Sequence, residues 1–85
     1  MKRLVGKVID VFIPEQYKNG NLLDIMDRTN IGFIVETDEG IKEIIVEQDE
    51  FNTDIIINDK VLITWQNILG KDYVDIELTE GENND

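Results

Sequence analysis

The residues that most constrain the fold of this chain are its β-branched ones. Its 85 residues include 14 Ile, 7 Val and 5 Thr, and no Ala at all. β-Branched side chains pack well on a pleated surface, whereas Ala is the strongest helix former. An AT-rich genome would produce part of this bias, because its codons favour Ile, Asn and Lys. The chain is nevertheless predicted to be mainly β.

Apolar residues and turn signals define three strands in the first half of the chain. The first strand covers residues 3–13 and ends at Pro14, which cannot donate to a β ladder. Within it, Gly6 suits a bulge or a close backbone approach. Residues 31–48 then form a hairpin that turns at Asp38-Glu39-Gly40. Both of its strands have continuous apolar centres, which predicts cover on both faces.

Two more strands and a connection complete the pattern. Asn58-Asp59 turns into residues 60–66, and a turn around residues 69–72 leads into residues 73–78, where apolar and polar residues alternate. In the connection before them, Phe51 and the isoleucines of residues 55–57 are expected to plug the core.

Residues 14–30 allow two interpretations. Asn19-Gly20 is a strong hairpin turn signal. Alternatively, Asn21 caps a short helix in which Leu22, Ile25 and Met26 share one face. We predict the short helical insertion and keep the hairpin as its alternative.

Five short strands with one helical insertion predict a small antiparallel barrel, because closure removes exposed sheet edges. Residues 1–78 form this single domain. Residues 79–85 are acidic and nearly free of apolar side chains, so they are expected to be a disordered tail.

The layout resembles an OB-fold barrel of the initiation-factor-one type, although an SH3-like barrel would leave nearly the same pattern. The shared features are the glycine-containing first strand Val5-Gly6-Lys7-Val8, the hairpin residues Phe33, Val35, Glu36, Asp38 and Gly40, and the segment Asn58–Ile63. The resemblance implies single-stranded nucleic-acid binding, with aromatic residues such as Phe33, Trp65 or Tyr73 in a basic groove.

The charge distribution argues against that role. Residues 1–28 carry five basic and four acidic side chains, a net charge of +1, whereas residues 29–85 carry three basic and fifteen acidic ones, a net charge of −12. Such a field repels phosphate backbones and attracts basic partners. We therefore expect no direct nucleic-acid binding and place Phe33 and Trp65 in the core.

Catalysis and metal binding also find little support. The chain has no His, Cys or Ser and no phosphate-binding loop. A calcium loop that starts at Asp49 would have Phe51 at a ligand position and Asp54 in place of the turn glycine. An irregular site at Glu47, Asp49, Glu50 and Asp54 is the alternative. We predict no enzyme activity, no metal and no cofactor.

The acidic hairpin is the best candidate for a partner-binding surface. The predicted contact residues are the carboxylates Glu36, Asp38, Glu39, Glu43, Glu47, Asp49 and Glu50, with Trp65 and Tyr73 as aromatic anchors wherever their rings are exposed. The favoured function is an adaptor or accessory protein that binds an unknown, basic protein partner. The alternative is an acidic mimic that occupies a basic nucleic-acid-binding protein, and the third is an OB-type single-stranded nucleic-acid binder.

The same features predict where the protein works. No apolar run is long enough to span a membrane, and Lys7 and Asp10 interrupt the apolar stretch near the N-terminus. With no Cys there is no disulfide framework. A cytoplasmic monomer without membrane contact is expected.

Overall fold

The structure is a computed structural model that describes residues 1–14, 17–18, 21–22 and 30–79. Its strands are β1 (Lys2–Phe12), β2 (Tyr17–Lys18), β3 (Asn21–Leu22), β4 (Asn30–Thr37), β5 (Gly40–Glu47), β6 (Lys60–Ile68) and β7 (Lys71–Leu78). The five long strands form one antiparallel sheet in the order β5-β4-β1-β6-β7, and β2 pairs with β3. The prediction of a mainly β fold with five antiparallel strands is therefore confirmed.

Strand β1 is the element that joins the two hairpins. Its first half, Lys2–Lys7, pairs with β6, and its second half, Gly6–Phe12, pairs with β4. The two ladders overlap at Gly6 and Lys7. Because β1 pairs with the β6–β7 hairpin along its first half and with the β4–β5 hairpin along its second half, the sheet must curl around β1.

Two local features allow this curl. The register between β1 and β4 shifts between Val8 and Asp10, which marks a bulge at Ile9, and bulges increase the local twist of a strand. At Gly6 the backbone of β4 approaches closely: a Cβ there would lie 2.5 Å from the Glu36 carbonyl oxygen. Of the two roles predicted for Gly6, the structure therefore has the close approach, and the bulge lies further along the strand.

The connections follow a Greek key. Strands β1, β4 and β5 lie side by side, and β6 returns to the free side of β1. The two outer strands, β5 and β7, approach within 8 Å between Cα atoms but do not pair. The sheet is therefore curled but not closed by hydrogen bonds, so the predicted barrel is present only as an open, strongly curved sheet. We call the gap between β5 and β7 the seam.

The concave face of the sheet carries the core. The buried apolar residues of the described chain are Val8, Ile31, Phe33, Val35, Ile44, Ile55, Val61, Ile63 and Ile76, with Val11, Val46, Trp65 and Val74 packed against them. Every strand of the five-stranded sheet contributes at least one of them. On β5, however, Ile41 and Ile45 are exposed, so the expectation of cover on both faces is wrong for this strand.

The connection between β5 and β6 corrects a second expectation. It contains a single 3-10 turn at Asn52–Asp54, and Ile55 behind that turn is buried. Phe51, Ile56 and Ile57 are exposed and do not plug the core. The small interior admits one side chain at this end of the sheet, and Ile55 fills that place.

The predicted insertion and tail lie mostly outside the described residues. Tyr17 pairs with Leu22, and Lys18 pairs with Asn21, in an antiparallel ladder that favours the hairpin alternative. Asn21 and Leu22 therefore belong to a strand and do not begin a helix. The rest of the predicted helix, residues 23–29, and the tail beyond Thr79 lie outside the described chain.

The close approach at Gly6 yields a test. We expect Gly6→Val to lower the free energy of unfolding by about 1–3 kcal/mol, because the new side chain would meet the β4 backbone, which cannot rotate away. Denaturant unfolding followed by circular dichroism measures this change. The control is Val5→Thr, at the half-exposed neighbouring position, with an expected change within about 0.5 kcal/mol. Equal stability of Gly6→Val and the native chain would contradict the role of Gly6.

Candidate functional site

The outward face of the β4–β5 hairpin carries three of the predicted contact residues, Glu36, Glu43 and Glu47. Side chains alternate between the two faces of a strand, and Ile44 of β5 points into the core. Its neighbours on the opposite face are exposed, as is Glu36 on β4. We call this surface the acidic hairpin face, and it consists of Glu36, Ile41, Glu43, Ile45 and Glu47.

Cross-strand pairing arranges these side chains. Glu36 lies opposite Ile41 of β5 on one side and opposite Lys7 of β1 on the other, and Glu43 lies opposite Ile34. Glu36 and Glu43 are therefore diagonal neighbours rather than direct ones, which limits their mutual repulsion. The result is a face on which each carboxylate has apolar neighbours.

The turn of the hairpin ties one predicted carboxylate to the start of the chain. The Lys2 ammonium group donates to Glu39 Oε1 at 2.7 Å, and this is the only ion pair within the described part of the chain. That hydrogen bond lowers the pKa of Glu39 below its usual value, and the positive charges of Lys2 and Lys42 lower it further. Glu39 is therefore already partnered, whereas Asp38 beside it is exposed.

Asp49 has a structural role at the other end of the hairpin. Its Oδ1 accepts from the backbone N–H groups of Phe51 (2.8 Å) and Asn52 (2.7 Å), which holds the turn after β5. Asx turns of this kind are a common use of Asp. Glu50 next to it is exposed and makes no ion pair with any described residue. Of these two predicted residues, Glu50 is the one that can face a partner.

The two aromatic candidates lie on the β6–β7 hairpin. Trp65 is partly buried against the core, and the Lys2 ammonium lies 5.9 Å from its ring centroid. Tyr73 on β7 is about half exposed, with Lys71 at 5.9 Å from its ring. Both rings line a shallow groove with Met1 and neighbouring residues. A second groove joins Trp65 to Lys2, Lys42, Glu43 and Ile44.

The carboxylate spacing bears on the mimic hypothesis. Glu43 and Glu47 are four residues apart on β5, which corresponds to about 13 Å along a strand, and Ile45 lies between them. A DNA strand carries one phosphate per about 3.4 Å of helix axis. Along β5 the carboxylates are therefore spaced more widely than the phosphates of a DNA strand.

The geometry also weakens the OB-type nucleic-acid hypothesis. Phe33, the proposed stacking residue, is fully buried in the core and has no free ring face. The basic residues that could form a groove are Lys2, Arg3, Lys7, Lys18 and Arg28. Lys2 is bound to Glu39, Lys7 lies opposite Glu36, and Arg3 is exposed. The side chains of Lys18 and Arg28 lie outside the described part of the chain.

Catalytic and metal chemistry have few candidates in the described residues. No three acidic side chains converge there in a way that could hold a metal ion. Both grooves are open and shallow. Across residues 1–14 and 30–79, no helix is long and apolar enough to cross a membrane.

Sequence reasoning missed one surface. Phe51, Ile56 and Ile57 are exposed on the connection between β5 and β6. Consecutive isoleucines outside a strand were a usable signal, because Ile55, Ile56 and Ile57 cannot all face one core. The sequence did not show which of the three is buried.

Comparisons of the chain with protein families, with curated proteins and with solved structures found no match.

The role of Asn52 in holding the connection between β5 and β6 can be tested, because its side chain is buried there. The Asn52 side chain accepts from the Asp49 N–H at 3.0 Å and donates to the Glu47 carbonyl at 2.7 Å. We expect Asn52→Ala to cost about 1–3 kcal/mol, because it leaves buried backbone groups without partners. Hydrogen exchange of residues 48–59 should accelerate. The matched control is Asn67→Ala, which removes exposed hydrogen bonds; an equal loss of stability in both variants would contradict the role of Asn52.

The ion pair at the hairpin turn gives a pH prediction. Because the pKa of Glu39 is lowered in the folded state, its contribution to stability is present above the unfolded-state pKa and is lost as pH falls through the folded-state pKa. Lys2→Gln should raise the pKa of Glu39 towards its usual value, which a carboxyl-detected NMR titration measures. Lys60→Gln serves as the control, since no Lys60 contact with Glu39 is present. An unchanged Glu39 pKa in Lys2→Gln would show that the pair is absent in solution.

Proposed function

We propose that this chain is a non-enzymatic binding module, an adaptor or accessory protein that works through protein–protein contacts. Its contact surface is the acidic hairpin face, and its partner is a protein with a basic surface. The observation that carries this proposal is the exposure of two isoleucines among the carboxylates of that face.

A purely solubilising role explains the carboxylates but not the isoleucines. Ile41 is 63% exposed and Ile45 is 44% exposed, on the same face as Glu36, Glu43 and Glu47. Exposed apolar side chains add nothing to solubility, and covering them with a partner gains free energy. Carboxylates around them favour a basic partner and exclude acidic ones.

The partner surface also fits the fold that we infer. We propose an OB-type arrangement, supported by the Greek-key order of five strands and by the seam between β5 and β7. OB-folds bind their ligands on the face of their second and third strands. In this chain those strands are β4 and β5, so the expected ligand surface and the acidic hairpin face coincide.

The character of that surface then determines the class of ligand. Nucleic-acid-binding OB-folds combine cations with exposed aromatic rings. Here the corresponding positions hold glutamates and isoleucines, and Phe33 is turned into the core. A nucleic acid on this surface would meet glutamates in place of cations. Binding would then lack the counterion release that supplies most of the affinity of such complexes. A polypeptide with basic and apolar side chains suits the same surface.

The proposal is tested by affinity capture from cells of the source organism with a tagged, full-length chain. The test variant is Glu36→Gln/Glu43→Gln/Glu47→Gln, and the matched control is Asp72→Asn/Asp75→Asn/Glu77→Gln on β7. Both remove three negative charges, so they differ only in the hairpin affected. We expect a captured basic protein whose recovery falls by about tenfold or more with the β4–β5 variant and changes little with the control.

Two results would count against the proposal. One is equal recovery with both variants, which would indicate attraction to net charge alone. The other is binding of a mixed single-stranded RNA or DNA pool at micromolar protein and about 0.1 M salt, where non-specific electrostatic binding is already weakened. That second result would favour the OB-type nucleic-acid binder.

A further inference from the structure

The connection between β5 and β6 presents large apolar side chains to solvent. Phe51 is 68% exposed, Ile56 is 64% exposed and Ile57 is 50% exposed. All three lie within residues 51–57. This segment begins four residues after Glu47, the last residue of the acidic hairpin face. We call Phe51, Ile56 and Ile57 the apolar loop.

Hydrogen bonds hold the first part of this connection in one conformation. Asn52, which is almost fully buried, bonds through its side chain to the backbone of Glu47 and Asp49. The Asp49 carboxylate accepts from the Phe51 and Asn52 N–H groups, and the Thr53 hydroxyl donates to the Asp49 carbonyl at 2.9 Å. The backbone at Phe51 is therefore held by hydrogen bonds that involve the residues before it and after it in the chain.

The second part is attached to the sheet. The Ile56 N–H donates to Asp59 Oδ2 at 2.9 Å, and the Asp59 N–H donates to the Ile56 carbonyl at 3.1 Å. Asn58 and Asp59 exchange backbone hydrogen bonds with Val8 on β1, at 2.7 and 2.9 Å. With Ile55 buried between the two parts, the whole connection is anchored to the core.

The combination of a held backbone and exposed apolar side chains points to the binding of a partner. A loop that needed only to link two strands would be free to place polar side chains at its exposed positions. Here the backbone is held and the exposed positions are apolar. Apolar anchors on a preorganised backbone bind with little loss of conformational entropy, and aromatic residues are enriched among the residues that dominate binding energy.

We propose that the apolar loop is the hydrophobic anchor by which this chain holds a basic amphipathic segment of another protein. The apolar stripe of that segment covers Phe51, Ile56 and Ile57. Its flanking Lys or Arg side chains face Glu50 and Asp54. The inference rests on the proposed function and names the chemistry of the partner and the residues that hold it.

Charge complementarity selects this occupant. Glu50 and Asp54 are exposed beside the apolar loop and form no ion pair with a described residue. A second copy of the chain would bring these carboxylates and a net charge of −11 against the same charges. An anionic membrane surface is repelled for the same reason. A basic segment is attracted by both the carboxylates and the apolar side chains.

The test uses a synthetic peptide of leucine and lysine, about 18 residues long, whose leucines lie along one helical face. A peptide of the same composition in scrambled order is its control. Fluorescence anisotropy measures binding to the full chain, and amide chemical-shift mapping locates it. We expect the amphipathic peptide to shift the amides of residues 49–57, and Phe51→Ala and Ile56→Ala each to weaken binding by about tenfold.

Leu69→Ala is the matched control variant. Leu69 is fully exposed on the β6–β7 turn, so its replacement removes a similar apolar side chain from a different surface. Binding by this variant should equal that of the native chain. A rise in ionic strength should weaken peptide binding, because the flanking charges are screened.

Three outcomes would overturn the inference: equal binding of both peptides, equal weakening by Leu69→Ala and Phe51→Ala, or shifts confined to residues outside 49–57. Self-association of the chain that Phe51→Ala abolishes would also overturn it, because the occupant would then be a second copy. If a captured partner depends on Glu36, Glu43 and Glu47 but not on Phe51, the inference fails while the proposed function stands.

Discussion

The structure depends on the double pairing of β1. This strand supplies one edge to the β4–β5 hairpin and the other to the β6–β7 hairpin. A single hairpin is at best marginally stable in water, so each needs the shared strand. The curl that brings both hairpins over one core requires β4 to approach β1 closely, and Gly6 has no side chain in the way. The bulge at Ile9 adds twist just beyond it.

The curl also explains the surface of the protein. A sheet of this size encloses a small interior, and a chain of 85 residues leaves a large part of its surface in water. Among the described residues, nine buried apolar side chains fill the interior, and other isoleucines remain outside. Ile41, Ile45 and the apolar loop are exposed, and exposed carboxylates lie near them along the chain. The proposed function and the further inference both follow from this arrangement.

The strands and turns were predictable because they depend on local chemistry. Pro14 ends β1 for lack of a backbone donor, and Gly40 provides the positive φ that the hairpin turn needs. Alternation placed Val61 and Ile63 in the core. Glu43 and Glu47 were expected among the exposed carboxylates of the hairpin, but the exposure of Ile41 and Ile45 on the same face was not predicted.

The remaining features depend on contacts between segments that are distant in sequence. Phe51 was expected in the core because apolar residues are usually buried, but the space at that end of the sheet is taken by Ile55. Glu39 was treated as free, although Lys2, at the start of the chain, is bound to it. Asp49 was assigned to a partner and instead holds its own backbone.

The sequence by itself determined the β class, the approximate positions of the five long strands and the sign of the surface charge, because these follow from residue type and from spacing along the chain. The tertiary structure alone decided which isoleucines are buried, whether the sheet closes, and which carboxylates are free. These outcomes depend on how tightly the sheet curls around β1. The close backbone approach at Gly6 allows that curl, and the curl in turn limits the volume of the core.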